Sequence, residues 1–410
     1  MITVLFIVLY VSAASWVVWR STRFGCGLPA MAAAASRFAV CSAGLVWTLP
    51  FGGADGVTFE IFAWRWSQLP LEELLGTFNV TASYVISSII ALFYKLLERN
   101  IAIPIFINGI LGVLIFYYSL VLASTVWRQC TIKNLFPWIV ALHPMLNVNS
   151  GIVLRENYVI LFLILAMIQL AKFVNSGRGV NVLGLAAFLF LAACFHNGVL
   201  LMAFGLPLFF VLNSRSMIGS KRIAVMLLFL GALATLLYNV EFNKINEIQS
   251  GTVFDAEYLE EIEARRRQAS TAYLVGMAPS SIVDVFWQVP IRITFLLLKP
   301  FPWDLVKAEY VLVFMDALLW FLIVWIICGH WREISRNPAA FAILLCLVVG
   351  VAAFAYGTSN FGTGVRHRTK FLVLALAIVY PYLPRVRFRV SEAARVRSTL
   401  DKSVSATERS

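Results

Sequence analysis

Residues 101–127 read IAIPIFINGILGVLIFYYSLVLASTVW, a run of 27 residues without one Asp, Glu, Lys or Arg. As a helix it extends about 40 Å, more than the roughly 30 Å of hydrocarbon in a bilayer. Similar runs recur on both sides of it, approximately Ile2 to Trp19, Ala30 to Leu49, Leu135 to Val148 and Val153 to Phe173. Beyond these come Asn181 to Phe195, Val199 to Leu212, Ile223 to Phe242, Tyr310 to Cys328, Ala339 to Tyr356 and Phe371 to Leu383. Of the 410 residues, 60% are hydrophobic and 13% charged, more apolar surface than one soluble core can bury. The expectation is an all-α polytopic membrane protein with about eleven transmembrane helices. Residues 1–386 form one membrane domain, and 387–410 a basic cytoplasmic tail.

The net charge of +12 is then a topology signal. If the spans alternate, Arg20 and Arg23, Arg128 and Lys133, Lys172 and Arg178, Arg215, Lys221 and Arg222, and Arg332 and Arg336 all fall on one side, expected to be the cytoplasm. The basic tail from Arg385 to Arg397 follows the last apolar run, so it points to the lipid surface and not to nucleic acid. Two long connections, 51–100 and 243–309, fall on the opposite side with acids including Glu72, Glu73, Glu260, Glu261 and Glu263. Within them, Tyr84 to Leu97 and Val283 to Leu298 have the length and mixed polarity of interfacial helices. The first apolar run lacks a basic lead-in and a cleavage site, as expected of a retained anchor. The six cysteines form no close pair and read as small buried residues.

With this topology the chemically capable residues gather at the outer face. Asp55 and Glu60 open the first outer connection; Arg155 and Glu156 begin a long apolar helix; His196 lies in the turn Phe195-His196-Asn197-Gly198; and Arg366, His367, Arg368 and Lys370 precede the last span. Four potential cations on the outer side oppose the positive-inside tendency and need an anion to balance them. Guanidinium forks match phosphate oxygens, so a lipid-linked phosphate or pyrophosphate is the simplest ligand; pairing with outer-loop acids is the plain alternative. Asp55 is placed to serve as a general base, with an Asp-Gly turn as its ordinary reading, and Glu60 is the second choice. Arg366 and Arg368, joined by Arg155 and His367, would hold a departing phosphate, so no metal or other cofactor is required. His143, His196 and His367 lie on separate elements and suggest polar contacts more than a metal site. Asp316, alone in its span, reads as lining a polar crevice.

This order of features resembles the GT-C class of membrane glycosyltransferases, especially bacterial relatives of the protein O-mannosyltransferases and aminoarabinose transferases. The matching pieces are the acidic first outer loop with Asp55, the Tyr84 to Asn100 segment leading into Ile101, the stretch from Pro144 to Arg155-Glu156, Pro300-Phe301-Pro302-Trp303 and Arg366-His367-Arg368. The resemblance implies transfer of a sugar or oligosaccharide from a polyprenyl-(pyro)phosphate donor to a glycan, lipid or protein acceptor at the extracytoplasmic face, with Asp55 as the catalytic acid residue. The chain is also similar to polysaccharide polymerases of the O-antigen or exopolysaccharide type, in the arginine spacing of Arg265 to Gly276. A transporter or flippase of lipid-linked glycans is the rival of another class; it needs a polar route across the bilayer.

Overall fold

The computed structural model describes residues 1–78, 84–212, 272–274, 277 and 282–386. The expected span at 223–242, the acids Glu260, Glu261 and Glu263, the 265–276 arginine stretch and the tail from 387 lie outside or almost outside the described residues. The described secondary structure is helical, joined by irregular segments and two isolated backbone bridges. In chain order the helices are α1 (Ile2–Thr22), α2 (Gly27–Gly44), α3 (Gly53–Ser67), α4 (Leu71–Gly76), α5 (Val85–Leu97) and α6 (Ala102–Trp127). They continue as α7 (Phe136–Leu142), α8 (Pro144–Val148), α9 (Glu156–Ser176), α10 (Val180–Phe195) and α11 (Gly205–Leu212), the last entered through a 3-10 segment, Asn197–Phe204. The set closes with α12 (Ile282–Leu298), α13 (Ala308–Gly329), α14 (Trp331–Arg336), α15 (Pro338–Gly357) and α16 (Phe361–Val379).

Among the described residues, α1, α6, α9, α13 and α15 are long and apolar enough to cross a bilayer. The protein is therefore an all-α multi-pass membrane protein; five such helices do not reach the expected eleven. Helices α6 and α9 are buried over most of their length at the centre, whereas α1 and α13 leave large apolar side chains such as Val4, Trp19, Phe321 and Trp325 on the outside, where lipid tails suit them.

The stretch 135–148, expected as one span, is broken. Proline at 144 disfavours helical backbone at His143, which is extended (φ −57°, ψ 122°) and separates α7 from α8. The freed carbonyls find partners on α2. Fully buried Arg37 donates from Nη1 to the carbonyls of Ala141 (3.0 Å) and Ala33 (3.2 Å), and from Nη2 to that of Val140 (3.1 Å). On α6, Asn108 donates to the carbonyls of Ile152 (2.6 Å) and Leu154 (3.1 Å) in the irregular segment that follows α8. Non-helical backbone within an apolar bundle persists only where protein groups satisfy it in this way. The close approach also needs glycines: a Cβ on Gly44 would stand 2.1 Å from the Gly151 carbonyl oxygen.

Two ends of the bundle have distinct character. At one, the Ile132 amide bonds the Phe24 carbonyl, the Val386 amide bonds the Lys133 carbonyl, Asn337 bonds the Val126 carbonyl and the His330 ring lies tilted against Tyr382. Among the described residues this end gathers Arg23, Arg128, Lys133 and Arg336 from loops that the alternation of spans placed together, with Arg385 of the tail beside them; the loop with Arg215, Lys221 and Arg222 lies outside the described residues. The other end carries residues 51–78 and 84–100 of the first long connection, which fold as α3, α4 and α5. Helix α5, expected at the interface, packs one face on α3 and is apolar on most of its surface. Helix α12 buries the polar side chains of Gln288 and Arg292 against the bundle while Val283, Phe286 and Trp287 remain exposed, the reverse of the division in a helix with its apolar face on a protein core.

Candidate functional site

The last helix begins at Phe361, ten residues earlier than the hydropathy run suggested, because Asn360 caps it by accepting from the Gly362 amide (2.9 Å). The basic tetrad is consequently helical. At about 100° per residue, Arg366 and Lys370 share a face, while Arg368 points nearly opposite to Arg366.

On the first face, Arg366 Nη1 meets Asp55 Oδ2 at 2.6 Å; the Asp55 side chain is 52% exposed and that of Arg366 15%. Asp55 is in the first turn of α3, where the helix dipole favours a carboxylate. Arg155 precedes α9 beside this pair. Burial pulls its guanidinium below the usual arginine range, opposed by the charges of Glu156 and Asp55 and reinforced by Arg366. Beneath them, Lys370 Nζ and Glu156 Oε1 are 3.6 Å apart, both buried, and the ammonium lies 5.5 Å from the Phe354 ring centre. His367 Nδ1 is 2.7 Å from Thr358 Oγ1, whose hydroxyl donates to the Phe354 carbonyl. With that proton committed, His367 Nδ1 is the donor in this contact. The His196 ring stands edge-on to His367 at 5.2 Å and lies over Phe354.

On the opposite face Arg368 is fully buried. Its guanidinium bonds Asp316 Oδ2 through Nε, the carbonyls of Leu297 and Lys299 through Nη1, and that of Val313 through Nη2. The second carboxylate oxygen of Asp316 lies 2.8 Å from His143 Nε2. The reading of Asp316 as an isolated acid lining a crevice is therefore corrected: it is a buried junction tying α13 and α16 to the break between α7 and α8. The sequence could not show this, since partners at 143 and 368 are joined only by folding.

Glu60 lies elsewhere on α3. It accepts Arg99 Nε and Nη2 at 2.9 Å each, and Tyr94 Oη at 3.2 Å, which holds α3 against the end of α5. Thus Asp55, Arg155, Glu156, His196, Arg366 and His367 gather at one end of the bundle, while Glu60 and Arg368 belong to separate ion pairs. Lys370, Thr358 and Phe354 complete the gathering; for Lys370 the i, i+4 relation to Arg366 was a usable signal, and for the other two nothing in the sequence marks them. No group of three or more metal-ligating side chains occurs among the described residues. Of the cysteines, Cys26, Cys41 and Cys346 are buried as expected, while Cys130 and Cys328 are exposed.

No protein-family model matches the chain, and neither the curated proteins nor the solved structures yield a match.

Proposed function

We propose that this protein is a membrane glycosyltransferase that moves a sugar or oligosaccharide from a polyprenyl phosphate or pyrophosphate to a glycan, lipid or protein acceptor, at the extracytoplasmic end of its helix bundle. The reading is supported above all by the contact between Asp55 and Arg366, which joins a half-exposed carboxylate to a guanidinium beside a second arginine, Arg155. In the resting protein the two charges neutralise each other. A donor phosphate would compete for Arg366 and release Asp55 toward the acceptor. The acceptor oxygen then attacks the anomeric carbon with inversion, its proton passes to Asp55, and the bond from that carbon to phosphate oxygen breaks with its electron pair leaving on the lipid phosphate. Arg366 and Arg155 face the charge that develops there. Glu60 is less suited to the proton transfer because Arg99 and Tyr94 occupy its oxygens. A polymerase of lipid-linked repeat units would use the same chemistry with a glycan acceptor.

Purified protein in liposomes, given a labelled polyprenyl-linked sugar, should release lipid phosphate and form a glycosylated acceptor. Asp55→Asn should insert and fold normally yet lose transfer. Full turnover by Asp55→Asn would remove this carboxylate from the reaction, and movement of the labelled lipid across the bilayer without cleavage would favour a flippase.

A further inference from the structure

The end of the bundle away from Asp55 holds a cavity of about 370 Å³ bounded by Val126, Trp127, Arg128, Asn175, Glu333, Arg336, Asn337 and Pro338. Its walls come from the last turn of α6, the last turn of α9 and the junction of α14 with α15. Three of the apolar crossing helices thus end or begin around it, which places it where spans leave hydrocarbon and phospholipid headgroups lie.

The polar groups around the cavity are not equivalent. Asn337 is committed to capping α15 and to the Val126 carbonyl, Trp127 Nε1 to the Ala377 carbonyl, and Asn175 to the Thr125 carbonyl and to Arg128. Arg128 occupies the left-handed region (φ 53°) as the C-cap of α6 and spends one of its five donors on Asn175 at 3.1 Å. Neither it nor Arg336 has a carboxylate within 4.0 Å among the described residues, although Glu333 also borders the cavity. Other arginines of this end are engaged with aromatic rings: Arg20 with Trp16 and Trp19, and Arg23 with Phe24 and Tyr117. Among the described residues, two arginines against one glutamate leave the cavity with a single excess positive charge, bounded by the apolar edges of Val126, Trp127 and Pro338.

We propose that this cavity binds one phosphodiester group carrying a single negative charge, with Arg128 and Arg336 donating to its oxygens: the headgroup of an anionic phospholipid in the adjoining leaflet. A phosphodiester balances the excess charge and brings glycerol and acyl atoms for the apolar wall; free inorganic phosphate brings no such atoms.

The protein in nanodiscs of phosphatidylcholine with an added fraction of phosphatidylglycerol, released for native mass spectrometry, should retain one phosphatidylglycerol in preference to phosphatidylcholine. The double variant Arg128→Asn, Arg336→Gln should lose that preference by about ten-fold or more; asparagine at 128 keeps a residue that tolerates the left-handed backbone. Arg332→Gln, a nearby exposed change outside the cavity, should retain it. Parallel thermal unfolding in phosphatidylcholine alone reports whether the double variant is folded. Equal retention of phosphatidylglycerol by wild type and a folded double variant overturns the proposal, as does displacement of the lipid by millimolar inorganic phosphate or glycerol phosphate, which would assign the cavity to a soluble anion. Should the double variant not fold, the single Arg336→Gln, on the exposed short helix α14, carries the same comparison.

Discussion

Replacing Arg368 by methionine removes the most heavily bonded buried cation at the Asp316 junction. The change keeps much of the side-chain volume, so the loss is electrostatic. It strands a carboxylate that is 1% exposed and takes the donor away from three main-chain carbonyls. Removing one member of a buried ion pair costs about 3–5 kcal/mol, and each carbonyl left without a partner adds about 1–3 kcal/mol before relaxation. Since His143 still bonds Asp316 and the carbonyls can shift, about 3–5 kcal/mol is the expected total. Native stabilities are commonly about 5–15 kcal/mol, so the variant should be folded but fragile. Equilibrium unfolding in lipid–detergent micelles measures the loss. The double variant Asp316→Leu, Arg368→Met removes both charges and should recover at least about 1 kcal/mol relative to Arg368→Met. A single variant within about 1 kcal/mol of wild type, or a double variant less stable than the single, would refute the view that this junction is a mutually dependent ion pair.

Arg37→Met should destabilise the protein by a similar few kcal/mol, and hydrogen exchange should rise first in 139–149, where the Val140 and Ala141 carbonyls depend on Arg37. Gly151→Val should block close packing of the segment after α8 on α2 and lower the yield of monodisperse protein, because a Cβ at 151 meets the Val40 carbonyl oxygen at 2.5 Å. Glu60→Gln should cost only about 1 kcal/mol in unfolding, since the Arg99 side chain is 46% exposed to solvent screening, and the transfer assay should still run. Arg366→Lys retains a charge but loses the fork, so transfer should fall while Asp55 remains in place; wild-type turnover there would separate Arg366 from phosphate recognition.

Hydropathy alone identified the five long apolar helices among the described residues, though not the expected eleven, because the bilayer imposes one length scale on every span, and alternation grouped those basic loops of the described residues that the structure brings together at one end. The break at 143–144 was less accessible: 135–148 has the composition of a span, and the decisive fact is that Arg37 and Asn108, far away in the chain, satisfy the interrupted backbone. Likewise, reading 360–370 as a loop made Arg366 and Arg368 equivalent, whereas a cap at Asn360 winds them into a helix and sends them in opposite directions.

The amino-acid order therefore determined by itself that the chain lives in a membrane and where along it the charges collect. Only the packed bundle decided which of them meet: Asp55 with Arg366, Glu60 with Arg99, and Asp316 with Arg368 and His143. The reason is that spacing along a strand of sequence fixes local helix and hydropathy, while the pairing of buried charges depends on the rotation and contact of whole helices, which every other side chain in the bundle helps to set.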